Sequence, residues 1–173
     1  MSDTALLIVD MLNDFLLPGA SLEVEGGRKI IPAIQKKIEE ARSRNFPIIF
    51  ICDAHEEDDP EFKYWPGHAV KGTKGAEVVE ELAPEPNDLL IPKPTLSSFY
   101  KTNLEEELNK RGIKRIILTG VCTNICIHYT AFDCVSRGFE VEIPEDCVAG
   151  LTEEDHRLAL KQITEILKIA KKS

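Results

Sequence analysis

Short apolar runs alternate with amphipathic stretches along almost the whole chain. Ala5-Leu6-Leu7-Ile8-Val9 is a continuous apolar run, the mark of a strand buried on both faces. Ile30, Ile31, Ile34, Ile38 and Ala41 then recur at helical spacing, with Lys and Glu on the opposite face. Pro47 ends that helix, and Ile48-Ile49-Phe50-Ile51-Cys52 predicts a second buried strand. Leu89-Leu90-Ile91 predicts a third, and Leu104 with Leu108 marks a short helix ending at Gly112. Arg115-Ile116-Ile117-Leu118-Thr119 reads as a fourth strand, after which Gly120 opens a turn into a helix running to about Arg137. Gly138 closes that helix, and Phe139-Glu140-Val141-Glu142-Ile143 is the fifth strand. Thr152 with Asp155 has the form of an N-terminal cap for a helix through Leu158, Leu160 and Ile163. Ile166 to Ala170 fits either an extension of that helix or an edge strand.

Strands and helices alternating at this spacing predict an α/β fold. Its form is a three-layer α/β/α sandwich with a mostly parallel central sheet. No repeat, low-complexity tract or linker interrupts the pattern, so residues 1–173 are expected to form a single domain. A chain of 173 residues can bury roughly 70% of its unfolded surface. With 43% hydrophobic residues it is not disordered, and no apolar run approaches the ~18–20 residues of a membrane span. Met1-Ser2-Asp3-Thr4 has neither the basic start nor the cleavage site of an export signal, which predicts a cytoplasmic protein. The net charge of −9 argues against nucleic acid and leaves a small molecule as the expected partner, with a homo-oligomer open. Five cysteines in such a chain predict no disulfide framework and at least one free thiol.

Parallel sheets bind ligands beyond the carboxyl ends of their strands. Asp10 closes the first predicted strand, Asp53 and His55 follow the second, and Lys93 lies just past the third. Gly120-Val121-Cys122-Thr123-Asn124-Ile125-Cys126 follows the fourth. Singly, Cys126 would be a buried apolar residue, Asp10 a cap and Lys93 a solvated lysine, although Pro92 and Pro94 fix the backbone around it. Together they form a chemical set. With Thr123 or Asn124 as cap, Cys126 lies near a helix N-terminus, where amides and dipole favour the thiolate. An acid bonded to a thiol can take its proton, and a nearby lysine favours the anionic forms of both. The turn before Cys126 can aim backbone amides at an oxyanion. Asp53-x-His55 with the distal His68 offers oxygen and imidazole donors suited to a divalent transition metal, with Glu61 as candidate fourth ligand. Glu56, Glu57, Asp58 and Asp59 read as a solvated acidic loop.

These residues, in this order, resemble the isochorismatase-like cysteine hydrolases, and within them the nicotinamidases. Ile8-Val9-Asp10-Met11-Leu12-Asn13-Asp14-Phe15 is similar to the family's opening strand and acid, and Gly120 to Cys126 to its nucleophile turn. Asp53-Ala54-His55 and Trp65-Pro66-Gly67-His68-Ala69-Val70-Lys71-Gly72-Thr73 resemble the nicotinamidase metal segment. The resemblance implies Asp10, Lys93 and Cys126 as the triad, and Asp53, His55 and His68 as metal ligands, joined by Glu61. Zinc is the expected ion, with iron or manganese as alternatives. It further implies a cis peptide at Val121–Cys122, with the amides of Cys122 and Cys126 as oxyanion hole. Phe15 and Trp65 are expected to sandwich a substrate ring. Leu96 forms a pocket wall where many nicotinamidases carry a tyrosine. The implied reaction is hydrolysis of nicotinamide to nicotinate and ammonia through a thioester, a step of NAD salvage. One alternative is a family amidohydrolase for an N-carbamoyl or maleamate-type substrate. Another is a non-catalytic metal or redox protein built on Cys122, Cys126 and His128. Cys52, Cys134 and Cys147 are expected to be inert.

Overall fold

All six residues of β1 (Thr4–Val9) are buried, because this strand lies inside the sheet and is covered on both faces. The computed structural model describes residues 2–172. The other strands are β2 (Ile48–Asp53), β3 (Leu89–Lys93), β4 (Arg115–Val121), β5 (Glu140–Pro144), β6 (Val148–Ala149) and β7 (Ala170–Lys172). Their order is β3-β2-β1-β4-β5-β7, with β6 beside the end of β4, and every pairing is parallel. Side chains alternate across β1, and the two cores follow from that alternation. Ala5, Leu7 and Val9 pack with Leu104 and Leu108 of α3 (Leu104–Lys110), Ala131 of α4 (His128–Ser136), and Leu160 and Ile163 of a later helix, Glu153–Glu165. Leu6 and Ile8 pack on the other side, with Phe15 of α1 (Asn13–Leu16) and Ile31, Ile34 and Ala41 of α2 (Ile31–Ser43). The helix Glu153–Glu165 is α5. The result is the three-layer α/β/α arrangement.

Several elements differ from the sequence reading. Of the two readings for Ile166 to Ala170 the edge strand holds, but only from Ala170: α5 stops at Glu165, residues 166–169 are irregular with Ile169 buried, and β7 pairs with β5 at Glu142↔Ala170. β3 runs two residues further than its apolar stretch, to Lys93, and as an edge strand it tolerates Pro92. The helix entered through the turn at Gly120 begins with π-helical geometry over Thr123–Ile127 and continues as α4, with Arg137 as its C-cap. Thr152 does cap α5, its hydroxyl accepting from the Asp155 N–H at 3.1 Å. At Gly120 the backbone has φ 113°, and a Cβ would sit 2.0 Å from the Val9 carbonyl oxygen. Only glycine lets β4 approach β1 this closely just where both strands end. Among the described residues no helix is long and apolar enough to cross a membrane.

Candidate active site

The ends of β1, β2, β3 and β4 converge on one buried charge cluster. Asp10 follows β1 in the left-handed region, φ 54°, and its N–H donates to the Ile51 carbonyl at 2.8 Å. Its Oδ1 accepts from the Asp53 N–H at 2.8 Å. Asp53 and Lys93, the last residues of β2 and β3, stand opposite each other in register. Lys93 is only 1% exposed, and an ammonium so deep must be paired. Its Nζ lies 2.9 Å from Asp10 Oδ2, bonds Asp53 Oδ1, and donates to the Thr95 carbonyl at 3.0 Å and to Cys126 Sγ at 3.5 Å. Donor atoms of Asp10, Asp53 and Cys126 all lie within 4.8 Å of one another.

Burial and the charge of Asp53 push Asp10 up to about 6, against the pull of Lys93. Burial acts most strongly on Asp53 too, but Lys93 and His55 together outweigh it and hold that carboxyl below the usual range. Lys93 is disfavoured as a cation by burial, yet Asp10, Cys126 and Asp53 keep it charged well past its ordinary value. The expectation of a resting thiolate is corrected here. Burial above all, then the two carboxylates, push the Cys126 thiol well up despite Lys93. The helix-end argument for a thiolate also fails locally, since neither Thr123 nor Asn124 caps the helix. The Thr123 hydroxyl bonds His156 Nδ1 at 2.8 Å, and Asn124 Oδ1 accepts from the Leu151 N–H at 3.3 Å. The turn is held by the Cys122 carbonyl, which accepts from Ile125 at 2.9 Å and Ile127 at 3.2 Å. The Val121–Cys122 peptide is cis. The site therefore holds a protonated thiol beside a carboxylate tuned close to neutrality, the arrangement of a nucleophile awaiting its base.

His55 Nε2 and His68 Nε2 each lie 3.9 Å from Asp53 Oδ2, and Glu61 Oε1 lies 3.9 Å from His68 Nε2. His68 Nδ1 donates to the Pro66 carbonyl at 2.8 Å, which leaves its Nε2 free as a ligand. His55 Nδ1 donates to Asp59 Oδ2 at 3.0 Å, while His55 Nε2 is buried without a partner. One carboxylate oxygen and two imidazole nitrogens within 4.8 Å fit a divalent first-row ion, and the orphaned nitrogen is what such an ion would satisfy. Without an ion, Asp53 and then Asp59 raise His55 to about 9, so a proton supplies the missing positive charge. Asp59 is thus no free member of an acidic loop: it orients a candidate ligand. Its signal in the sequence is its position four residues after His55, hidden in a run of acids. Phe62 was also missed, and its ring centroid lies 5.5 Å from each of the two imidazoles.

Above the cluster opens a pocket. Asp10, Asp53 and Cys126 line it, as do Cys122, Glu61 and His68. Phe15, with its ring 5.5 Å from that of His68, lines it too, with Leu96 and the 37% exposed Trp65. Lys93 and His55 lie behind these residues. Val121 and Ile125 of the nucleophile turn, with Leu22 and Leu151, complete the walls; the two leucines were not legible beforehand, since nothing in their local sequence separates a pocket leucine from a core one. Among the described residues no lysine or arginine lines the pocket. Among the described residues no metal-donor cluster unites Cys122, Cys126 and His128. Burial pushes the thiols of Cys52, Cys122 and Cys147 up to about 12 and Cys134 higher still.

The isochorismatase domain model matches residues 4–170. The chain belongs to the isochorismatase family. Nicotinamidase PncA from Bacillus subtilis superposes with a TM-score of 0.94 at 29% identity, over 99% of this chain and 100% of that one. The pyrazinamidase of Pyrococcus horikoshii, solved in complex with zinc, gives 0.89 at 35% identity, over 95% and 96% of the two chains. N-carbamoylsarcosine amidase from Thermoplasma acidophilum gives 0.89 at 32% identity, over 98% and 95%. This isochorismatase-family hydrolase thus resembles a nicotinamidase, a pyrazinamidase and an N-carbamoylsarcosine amidase closely in its backbone. Side chains of the pocket have to discriminate between them.

Proposed function

We propose that the chain is a metal-dependent cysteine amidohydrolase that converts nicotinamide to nicotinate and ammonia. One observation carries the reading. The pocket joins a histidine–carboxylate donor set with an unpartnered nitrogen to a thiol–carboxylate pair, and among the described residues its lining has no lysine or arginine side chain to pair with a substrate carboxylate. N-carbamoyl amino acids and maleamate bring a carboxylate, which would face Asp10, Asp53 and Glu61. A neutral pyridine carboxamide brings none.

Asp10 takes the Cys126 proton as the sulfur bonds to the amide carbon, and Lys93 offsets the negative charge that forms on both. The amides of Cys122 and Cys126 hold the tetrahedral oxyanion. Asp10 passes the proton to the amide nitrogen, the carbon–nitrogen bond breaks, and ammonia leaves a thioester on Cys126. Water then adds to the thioester with its proton going to Asp10; the carbon–sulfur bond breaks, the proton returns to sulfur, and nicotinate departs. Phe15 and Trp65 flank the ring, with Leu96 on a wall. Asp53, His55 and His68, with Glu61 nearby, would hold a divalent ion, which would supply Lewis-acid chemistry at the ring end of the pocket. Zinc suits that donor set, and iron or manganese would also.

The test is ammonia release after metal reconstitution, with nicotinamide, pyrazinamide and an N-carbamoyl amino acid in parallel. Turnover of the two aromatic amides, lost in Cys126→Ala, is the expected result. Activity confined to the carbamoyl compound, in metal-free protein, would overturn the reading, as would full turnover by Cys126→Ala.

A further inference from the structure

Asp14 does not line the pocket and has no part in the chemistry above. Its Oδ2 accepts from the Ala69 N–H at 2.8 Å. Ala69 directly follows His68, is fully buried, and has φ 45°, a left-handed conformation that a non-glycine residue keeps only where its surroundings hold it. The Ala69 carbonyl in turn accepts from the His55 N–H at 3.0 Å, and the Lys71 N–H donates to the His55 carbonyl at 2.9 Å. Ala69 therefore lies between the two histidines, with its N–H fixed by Asp14 and its carbonyl fixing His55. Gly75 makes a second, independent observation. A Cβ at Gly75 would lie 2.1 Å from Asp14 Oδ2, so the returning chain closes directly over the carboxylate. Beside it, Asn13 Nδ2 donates to the Lys74 carbonyl at 2.8 Å, and the Asn13 N–H to that of Glu77 at 2.9 Å.

We infer that Asp14 is a positioning residue that sets the separation of the His55 and His68 imidazoles, and that Gly75 leaves it the room to do so. The inference rests on the metal reading above. It assigns metal affinity to a carboxylate that never touches the ion. Outer partners of this kind typically change affinity by about 10–100-fold when removed.

The experiment titrates zinc alone into metal-stripped protein, in competition with a chromophoric chelator, alongside the unfolding midpoint of each variant. Asp14→Ala and Gly75→Ala should each bind zinc about 10–100-fold more weakly. Asp14→Asn keeps an acceptor oxygen for the Ala69 N–H and should stay within about threefold of the unaltered protein. Two variants that bind as tightly as the unaltered protein would overturn the inference. So would Asp14→Asn binding as weakly as Asp14→Ala, which would make charge and not the hydrogen bond decisive. If Asp14→Ala does not fold, Gly75→Ala and Asp14→Asn decide the matter between them. An unaltered protein without zinc affinity overturns the metal reading, and the inference with it.

Discussion

At Asp10 the fold keeps a carboxylate buried beside a second one, Asp53, with a single ammonium between them. Because burial raises Asp10 from 3.8 to about 6, the folded state favours its neutral form. The stability tied to that form is complete below pH 3.8 and is lost as pH rises through about 6. Asp10→Asn is neutral at every pH and keeps the oxygen that accepts from Asp53. In chelator-treated protein it should match the unaltered chain near pH 4 and exceed its stability by about 1–3 kcal/mol at pH 8, while losing activity. Urea unfolding at the two pH values checks this. Lys93→Met is expected to act oppositely, costing about 3–5 kcal/mol at pH 7 by leaving both carboxylates without a counter-charge. Part of that loss should return at pH 5, where Asp10 takes up a proton. Asp10 and Lys93 were legible because each ends an apolar run with a charge that has no business in a core. The Asp59 contact was not, because four consecutive acids look alike until the fold brings one to an imidazole.

Strands and helices, as elements, follow directly from the periodicity of the chain. β1, β2 and β4 are long apolar runs, and the helices that cover them show their faces at helical spacing. The elements without a signal of their own are too short to have a period: α1 with four residues, β6 with two, and the π-helical turn before α4, whereas for the segment leading to β7 an edge strand is one of the two readings the sequence allows. The π-helical turn removes the helix-end capping expected beside Cys126, whose thiol is held protonated by burial above all. Gly120 ties this region to β1 and offers a test at the same scale. Gly120→Ala must place a Cβ 2.0 Å from the Val9 carbonyl while holding φ at 113°. The expected cost is about 2–4 kcal/mol by denaturant unfolding, together with a loss of turnover larger than that from a surface Gly→Ala change.

Over the whole molecule, charge and architecture both act on what reaches the pocket. A net charge of −9 repels anions, and a lining without lysine or arginine gives them no reward on arrival. A neutral amide escapes both effects. Its kcat/KM should therefore change less than about twofold between low and high salt, where the Debye length falls from about 30 to about 3 Å. The stronger constraint is topological. The strands that deliver Asp10 and Cys126 are neighbours in the sheet but far apart in the chain: the Thr119 hydroxyl on β4 bonds the Leu7 carbonyl on β1 across 112 positions. Such pairings are closed late, because a long loop must be ordered before they give anything back. No subset of the chain can hold the acid, the lysine, the metal donors and the thiol in partial register. Recovery of catalysis after dilution from denaturant should then lag behind recovery of helical signal, making turnover itself a clock for the moment the middle of the sheet zips shut.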